Sequence, residues 1–185
     1  MIQRLQKGDR EAFNELVVQY EKQIINIAYG MLSDREDALD AAQEVFIKVY
    51  KNISSFKGQS SLTTWIYRIT ANVCNDILRK RQRSAKTISL YPSDEDEDNR
   101  QGEIADTSPT PEAVLEQSEA QRAVREGIAS LGDDFKAVIT LCDIEGCSYE
   151  KASQILGLPQ GTIKSRLNRA RNALRKKVSE KRELF

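Results

Sequence analysis

The sequence predicts an all-α protein. It should form two small helical domains, 1–86 and 120–185, joined by a flexible acidic linker, 87–119, with the second domain ending in a helix–turn–helix. Three observations predict this. Apolar residues recur at three- and four-residue steps in both flanking segments, the signature of a helical face. The stretch between them, SDEDEDNRQGEIADTSPTPE, holds too little apolar surface to offset ordering entropy. The segment SYEKASQILGLPQGTIKSRLNRARNALRKKV then reads as two helices about a tight turn. A chain of 185 residues could hold one medium domain or two small ones. A disordered connector of this length is uncommon inside one compact domain, which favours two.

Taken in order, the first stripe is Phe13, Leu16, Val17, Tyr20 and Ile24. The second is Ala38, Ala42, Val45, Phe46, Val49 and Tyr50, with Ser33 or Asp34 as the N-cap. A Gly- and Ser-rich loop from Ser54 to Ser61 follows. The third stripe, Trp65, Ile66, Ile69, Val73 and Ile77, is entered through Thr63 or Thr64. Beyond the linker, Ala123, Ile128 and Leu131 mark one helix, and Ala137, Val138, Leu141 and Ile144 the next. The closing pair runs from about Ser148 to Leu156, turns at Gly157–Leu158, and resumes at Pro159, whose missing N–H costs nothing in a first helical turn.

Charge sharpens the division. Lys+Arg and Asp+Glu number 28 each, so the formal charge is zero. Residues 1–86 carry a balance of +4, residues 87–119 one of −9, and residues 120–185 one of +5. The neutral total is a cancellation between segments, and such asymmetry signals nucleic-acid contact or a solvated tail.

Several function classes recede. The longest apolar runs fall far below the ~20 residues that span a bilayer, so no membrane insertion is expected. MIQRLQKGDREAF lacks the apolar stretch of a secretory signal. The odd cysteines Cys74, Cys142 and Cys147 suit a reducing cytosol, and a cytoplasmic location is expected. There is no His, the commonest general base and metal ligand at neutral pH, and no phosphate-cradling glycine loop or nucleophile elbow. Cys142 and Cys147 lack a second pair, so no metal is expected; they read as small apolar residues. The chain should bind rather than catalyse, without a cofactor.

Three constellations suggest what it binds. In the last helix Ile163, Leu167, Ala170, Leu174 and Val178 share one face. Lys164, Asn168, Arg171 and Arg175 share another, beside Ser165, Arg169 and Lys176. From Lys164 to Arg182 there are nine basic residues and one acid, Glu180. Such a helix fits the major groove, where Arg, Lys and Asn read base edges and other cations hold phosphates. A solvated charged helix is the bland reading, but the tight turn, Gly157 and small Ser153 occur together with the cationic face. The second constellation is FKGQSSLTTWIYRITANVCNDILRKRQRSAK, which mixes Phe56, Trp65 and Tyr67 with Asn72, Asn75 and a basic end. Aromatic faces stack on unpaired bases while cations hold the strand, although Trp65 and Ile69 could simply be core. The third is a set of acids, Asp34, Glu36, Asp37, Asp40 and Glu44, beside Gln43. Phosphates would be repelled there, so it is either solvated surface or a dock for a basic protein.

These residues resemble a bacterial RNA polymerase sigma factor of the extracytoplasmic-function group (group IV). DREDALDAAQEVFIKVY, FKGQSSLTTWIYRITANVCNDILRKRQR and SYEKASQILGLPQGTIKSRLNRAR follow in that family's order and spacing, leaving out mainly the acidic linker. The resemblance implies an all-helical region two and region four. It implies that Asp37, Asp40, Gln43 and Glu44 dock on the clamp helices of the polymerase largest subunit, and that the flap is a further contact. The Phe56–Thr64 loop and the following helix, with Phe56, Lys57, Leu62, Trp65, Arg68, Asn72 and Arg79, would capture a flipped base of the minus-ten element and hold the strand open. Extruding that base costs a few kcal/mol of stacking. Lys164, Ser165, Arg166, Asn168 and Arg169 would read the minus-thirty-five element in promoter duplex, some through phosphates alone. A cognate anti-sigma factor is a further implied partner. Leu39 stands where relatives often carry an acid, Leu62 where an aromatic is common, Ser153 where Ala is usual, and Leu131-Gly132 in place of Leu-Pro. The rival reading is a stand-alone helix–turn–helix regulator. Such a protein has no reason to join an acidic docking helix to an aromatic, basic strand-binding helix. A scaffold with merely solvated charged helices is the other alternative.

Overall fold

The computed structural model describes the backbone of residues 1–88 and 121–182 and the side chains of residues 1–84 and 121–179, so all but the first two residues of the acidic connector fall outside the described part. The first module contains α1 (Ile2–Gln6), α2 (Arg10–Leu32), α3 (Arg35–Asn52), a 3-10 turn (Ile53–Ser55) and α4 (Leu62–Ile88). The second contains α5 (121–129), α6 (Asp133–Ile139) running into a π turn (Thr140–Ile144), α7 (Tyr149–Leu156) and α8 (Gln160–Arg182). Among the described residues there is no strand.

Short polar residues set the helix starts. Asp9 caps α2, its carboxylate accepting from the N–H groups of Glu11 and Ala12 at 3.0 and 3.2 Å. Asp34 caps α3 by accepting from Asp37 N–H at 2.8 Å, while Ser33 is the left-handed residue (φ 58°) that ends α2. Of the two expected caps, Asp34 is therefore the one used. The start of α4 differs from expectation: Ser61, not Thr63 or Thr64, holds the first free N–H, accepting from Thr64 at 3.1 Å. The α1 segment carries no apolar stripe, and its five residues lie below what periodicity detects.

α2, α3 and α4 pack on one another around Leu16, Ile24, Ile27, Met31, Val45, Val49 and Ile66, all fully buried. Each such side chain contributes roughly 1.5–3 kcal/mol by leaving water. Arg81 of α4 locks the corner between α2 and α3: it forms an ion pair with Asp37 and donates to the Leu32 carbonyl at the α2 C-terminus, where a cation is favoured. In the second module α6 and α7 pack on α8 through Val138, Ile155, Ile163, Leu167 and Ala170. Tyr50 and Ile144, expected on buried stripes, are half exposed, although Tyr50 meets the Phe13 ring edge-on at 5.0 Å.

The two modules touch along a seam. α7 packs on α4, and α6 with its π turn packs on α2. A Cβ on Gly30 would lie 2.3 Å from Thr140 Oγ1, a buried hydroxyl with no hydrogen-bond partner among the described residues. Polar groups also cross the seam. Arg68 Nε donates to the Gln154 carbonyl at 3.0 Å, Gln82 donates to Asp133 at 3.3 Å, and Lys151 Nζ stands 5.0 Å over the Tyr67 ring. Burial pushes the Tyr67 hydroxyl up to about 12, and Glu145 is raised by the same cause.

Candidate nucleic-acid interface

The chain between the 3-10 turn and α4 does not close on itself. Gly58, at φ +70°, takes the left-handed conformation that turns the loop outward. A cavity of about 600 Å³ opens between this loop and α4, lined by Ser55, Phe56, Lys57, Gln59, Ser60, Trp65 and Arg68, with Gln154 of α7 at one side. A second groove of about 430 Å³ continues past Trp65 between α3 and α4, lined by Lys48, Asn52, Ser55, Ile69, Asn72 and Asp76. The half-buried Trp65, with Ser55, lines both and forms the aromatic partition between them.

The sequence points to seven residues here, and the structure sorts them. Lys57, Arg68 and Asn72 are exposed beside the two cavities. Phe56 is only 8% exposed, and its ring packs at 5.2 Å against Trp65, tilted by 52°. It supports the wall rather than offering a free face for stacking. Leu62 is 7% exposed, sits in the core under the first turn of α4, and lines neither cavity. This corrects the expectation that its side chain meets the strand. Arg79 is exposed and reaches Asp76 at 3.5 Å.

The helix–turn–helix is built as its sequence predicts. The Ser148 hydroxyl caps α7 by accepting from Lys151 N–H at 3.1 Å, and Gly157 (φ +67°) ends it. Pro159 supplies the first carbonyl of α8, accepting from Thr162 and Ile163. Ser153 does more than fill a small site: its hydroxyl donates to the Leu158 carbonyl at 2.5 Å and ties the turn to α7. Lys164, Ser165, Asn168 and Arg169 point outward from α8. Ser165 donates back to the Thr162 carbonyl, and Asn168 accepts from Asn172. Arg166 departs from expectation: it is half buried and reaches back to Asp134 at 3.0 Å, so it braces α8 against α6. Arg171 is similarly held, its guanidinium bidentate on Asp143 at 2.6 and 2.9 Å, which raises its pKa further.

The outer face of α3 presents Asp40, Gln43 and Glu44 together with the exposed apolar side chains Leu39, Ile47 and Tyr50. Glu44 pairs with Lys48 at 2.8 Å. Asp37 does not share this face, because Arg81 draws it toward α4. Apart from Leu39, the apolar members carry no signal of their own in the sequence; their exposure is what distinguishes this face from ordinary solvated surface. Burial pushes Cys74 up to about 12 and Cys142 up to about 11, and also raises Cys147, so all three thiols stay protonated at neutral pH and are weak nucleophiles. Among the described residues no acid or cysteine cluster could hold a metal ion, and no helix is long and apolar enough to cross a membrane.

A helical module with a polar-rimmed cavity beside an aromatic partition, joined to a module with a cationic helix–turn–helix, has the build of a nucleic-acid-binding protein. Comparison with known proteins narrows this. Residues 16–84 match Sigma-70 region 2, and residues 121–174 match Sigma-70, region 4. The chain is 36% identical over 178 residues to the ECF RNA polymerase sigma-E factor of Haemophilus influenzae, covering 96% of this chain and 93% of that protein. It is 34% identical to the sigma-E factor of Escherichia coli K12, with 96% and 92% covered. In fold it is similar to the sigma factor RpoE in complex with the anti-sigma factor NepR from Bartonella quintana, at a TM-score of 0.73 and 24% identity, with 91% and 98% covered. The chain belongs to the sigma-70 family, as an extracytoplasmic-function sigma factor. It is an alternative sigma factor that directs transcription initiation.

Proposed function

We propose that the three faces divide the work of initiation as follows. The outer face of α3, with Asp40, Gln43 and Glu44 around exposed Leu39, Ile47 and Tyr50, docks on the largest subunit of core RNA polymerase. The cavity between the loop and α4 receives an unpaired minus-ten base, with Trp65 as its stacking wall and Lys57, Arg68 and Asn72 beside the strand. The face of α8 carrying Lys164, Asn168 and Arg169 reads the minus-thirty-five duplex, with Ser165 alongside. Asp37 and Arg166 hold these faces in place, Leu62 and Phe56 fill the wall behind the cavity, and Arg79 lies along the strand path. The working units are residues 1–86 and 120–185 with the acidic connector between. The protein acts in the cytoplasm, performs no chemistry of its own, and is controlled by an anti-sigma partner.

The observation that carries this reading is the cavity itself, whose size lies in the range of sites that enclose small molecules. A stand-alone duplex reader has no use for such a recess beside an aromatic partition. The decisive experiment is reconstitution with bacterial core polymerase on a cognate promoter. Co-purification with core and an open complex are expected; absence of both refutes the reading. Asn72→Ala should reduce open-complex formation by roughly tenfold, about the effect of one good base contact, while leaving core binding intact. Equal losses in both assays would contradict a melting role for Asn72.

Geometry adds a requirement. Two elements centred about 25 base pairs apart lie roughly 85 Å apart along B-form DNA. A compact body of roughly 150 residues has a radius of gyration of only about 15 Å. The seam must therefore part before α8 and the cavity can engage one promoter together.

A further inference from the structure

The loop that forms the cavity is anchored from an element that precedes the matched region. We propose that α1, through Gln6, is a positioning element for minus-ten base capture. Gln6 Nε2 donates to the Phe56 carbonyl at 2.9 Å, across 50 residues of sequence. Phe56 is the residue at which the chain leaves the 3-10 turn and enters the cavity loop. Its N–H donates to Ile53, its carbonyl accepts from Gln6, and its ring lies on Trp65. All three attachments hold one end of the loop, and Lys57 to Ser60 depart from that fixed point.

α1 can act as an anchor because it is itself pinned. Leu5 is buried in the core, and Arg4 bonds to Asp9 at 2.7 Å and to Glu15 of α2 at 3.2 Å. The Arg4 hydrogen bond, followed by the Ala12 N–H, holds the Asp9 carboxyl below the usual carboxylate range. Gly8 (φ +78°) makes the turn that folds α1 back against the 3-10 turn. An amide is well suited to this position, because its NH2 satisfies a carbonyl that would otherwise face the cavity rim, without placing a charge beside the strand. Sigma-70 region 2 as matched starts at residue 16, so Gln6 lies outside it.

This inference rests on the reading of the cavity as a base pocket, and the test separates the two. Holoenzyme is assembled from core polymerase with the unaltered chain, Gln6→Met or Gln6→Lys, and open-complex formation is scored on a promoter library randomised across the minus-ten element. Met keeps the length and apolar contact but cannot donate; Lys can. With Gln6→Met the preference for the favoured base should fall by about threefold to tenfold, the range spanned by one net hydrogen bond. Core affinity should be unchanged, and Gln6→Lys should recover part of the preference. A purely structural role would lower opening equally on all sequences, and that outcome overturns the proposal. If the unaltered chain prefers a base and Gln6→Met keeps the same preference, the inference fails alone. If the unaltered chain shows no preference, the cavity reading and the inference fail together.

Discussion

Gly30→Ala is expected to part the two modules. The added methyl would stand 2.3 Å from Thr140 Oγ1 and 2.6 Å from Cγ2, in a place where both backbones are enclosed. Overpacking of this kind costs typically about 1–3 kcal/mol, which shifts the closed-to-open ratio roughly 5- to 150-fold. Thr140 has little room to turn away, since its side chain is fully buried. The first module alone should not suffer, because Ala is favoured over Gly in a helix by about 1 kcal/mol. Small-angle scattering should show a larger radius of gyration for Gly30→Ala. Adding Thr140→Ala removes the two nearest atoms and leaves Cβ at 3.0 Å, a contact relieved by a shift of a few tenths of an ångström, so compactness should return in large part. Unchanged dimensions in the single variant would show that the seam does not depend on this contact. With Gln154 withdrawn from the cavity edge and Arg68 released, the opened variant should also bind a minus-ten single strand more tightly than the unaltered protein.

Arg169→Ala should cost the free energy of one base-reading contact in duplex binding, about 1–3 kcal/mol if the guanidinium is bidentate on a base. The loss should fall on particular positions of the minus-thirty-five element. Lys164→Ala, if that ammonium holds phosphate, should weaken binding evenly across sequences. Arg166→Ala should behave unlike either. Its guanidinium braces Asp134, so its removal should lower thermal stability of the second module while leaving the sequence profile alone. A shifted profile for Arg166→Ala, or an unshifted one for Arg169→Ala, would reverse these assignments. Competition binding over a set of single-base duplex variants distinguishes the cases.

The helix–turn–helix was legible because every signal in it is local. Ser148, Gly157 and Pro159 act within a turn or two of themselves, and the structure uses each as its residue type predicts. The long helices were legible for the same reason, through spacing alone. The start of α4 is ambiguous in the sequence because several neighbouring hydroxyl residues could each cap, and only backbone geometry selects Ser61. Side-chain direction was harder. Arg166 and Asp37 both lie on helices read correctly, yet their partners, Asp134 and Arg81, lie more than thirty residues away, and spacing along a helix carries no information about them. The same applies to Leu62 and Phe56, whose residue types suit both a stacking loop and a core. The π turn at Thr140–Ile144 and the role of Gln6 left no mark in periodicity. The closeness of Gly30 to Thr140 joins two residues 110 positions apart, which spacing along a helix does not encode.

The two braced arginines bear on how this protein should respond to salt. α8 carries nine basic residues from Lys164 onward, which suggests a steep loss of duplex affinity as ionic strength rises. Arg166 and Arg171 already face carboxylates at 3.0 and 2.6 Å. A cation so compensated does not displace a condensed ion from the phosphate backbone when the complex forms. Each one withheld flattens the plot of log affinity against log salt by about 0.9. Exchanging Asp134 and Asp143 for asparagine should therefore steepen that plot by up to ~1.8 if both freed guanidinium groups reach phosphate. The native acids would make the protein's hold on upstream duplex less sensitive to the ion content of its surroundings than its basic residues imply.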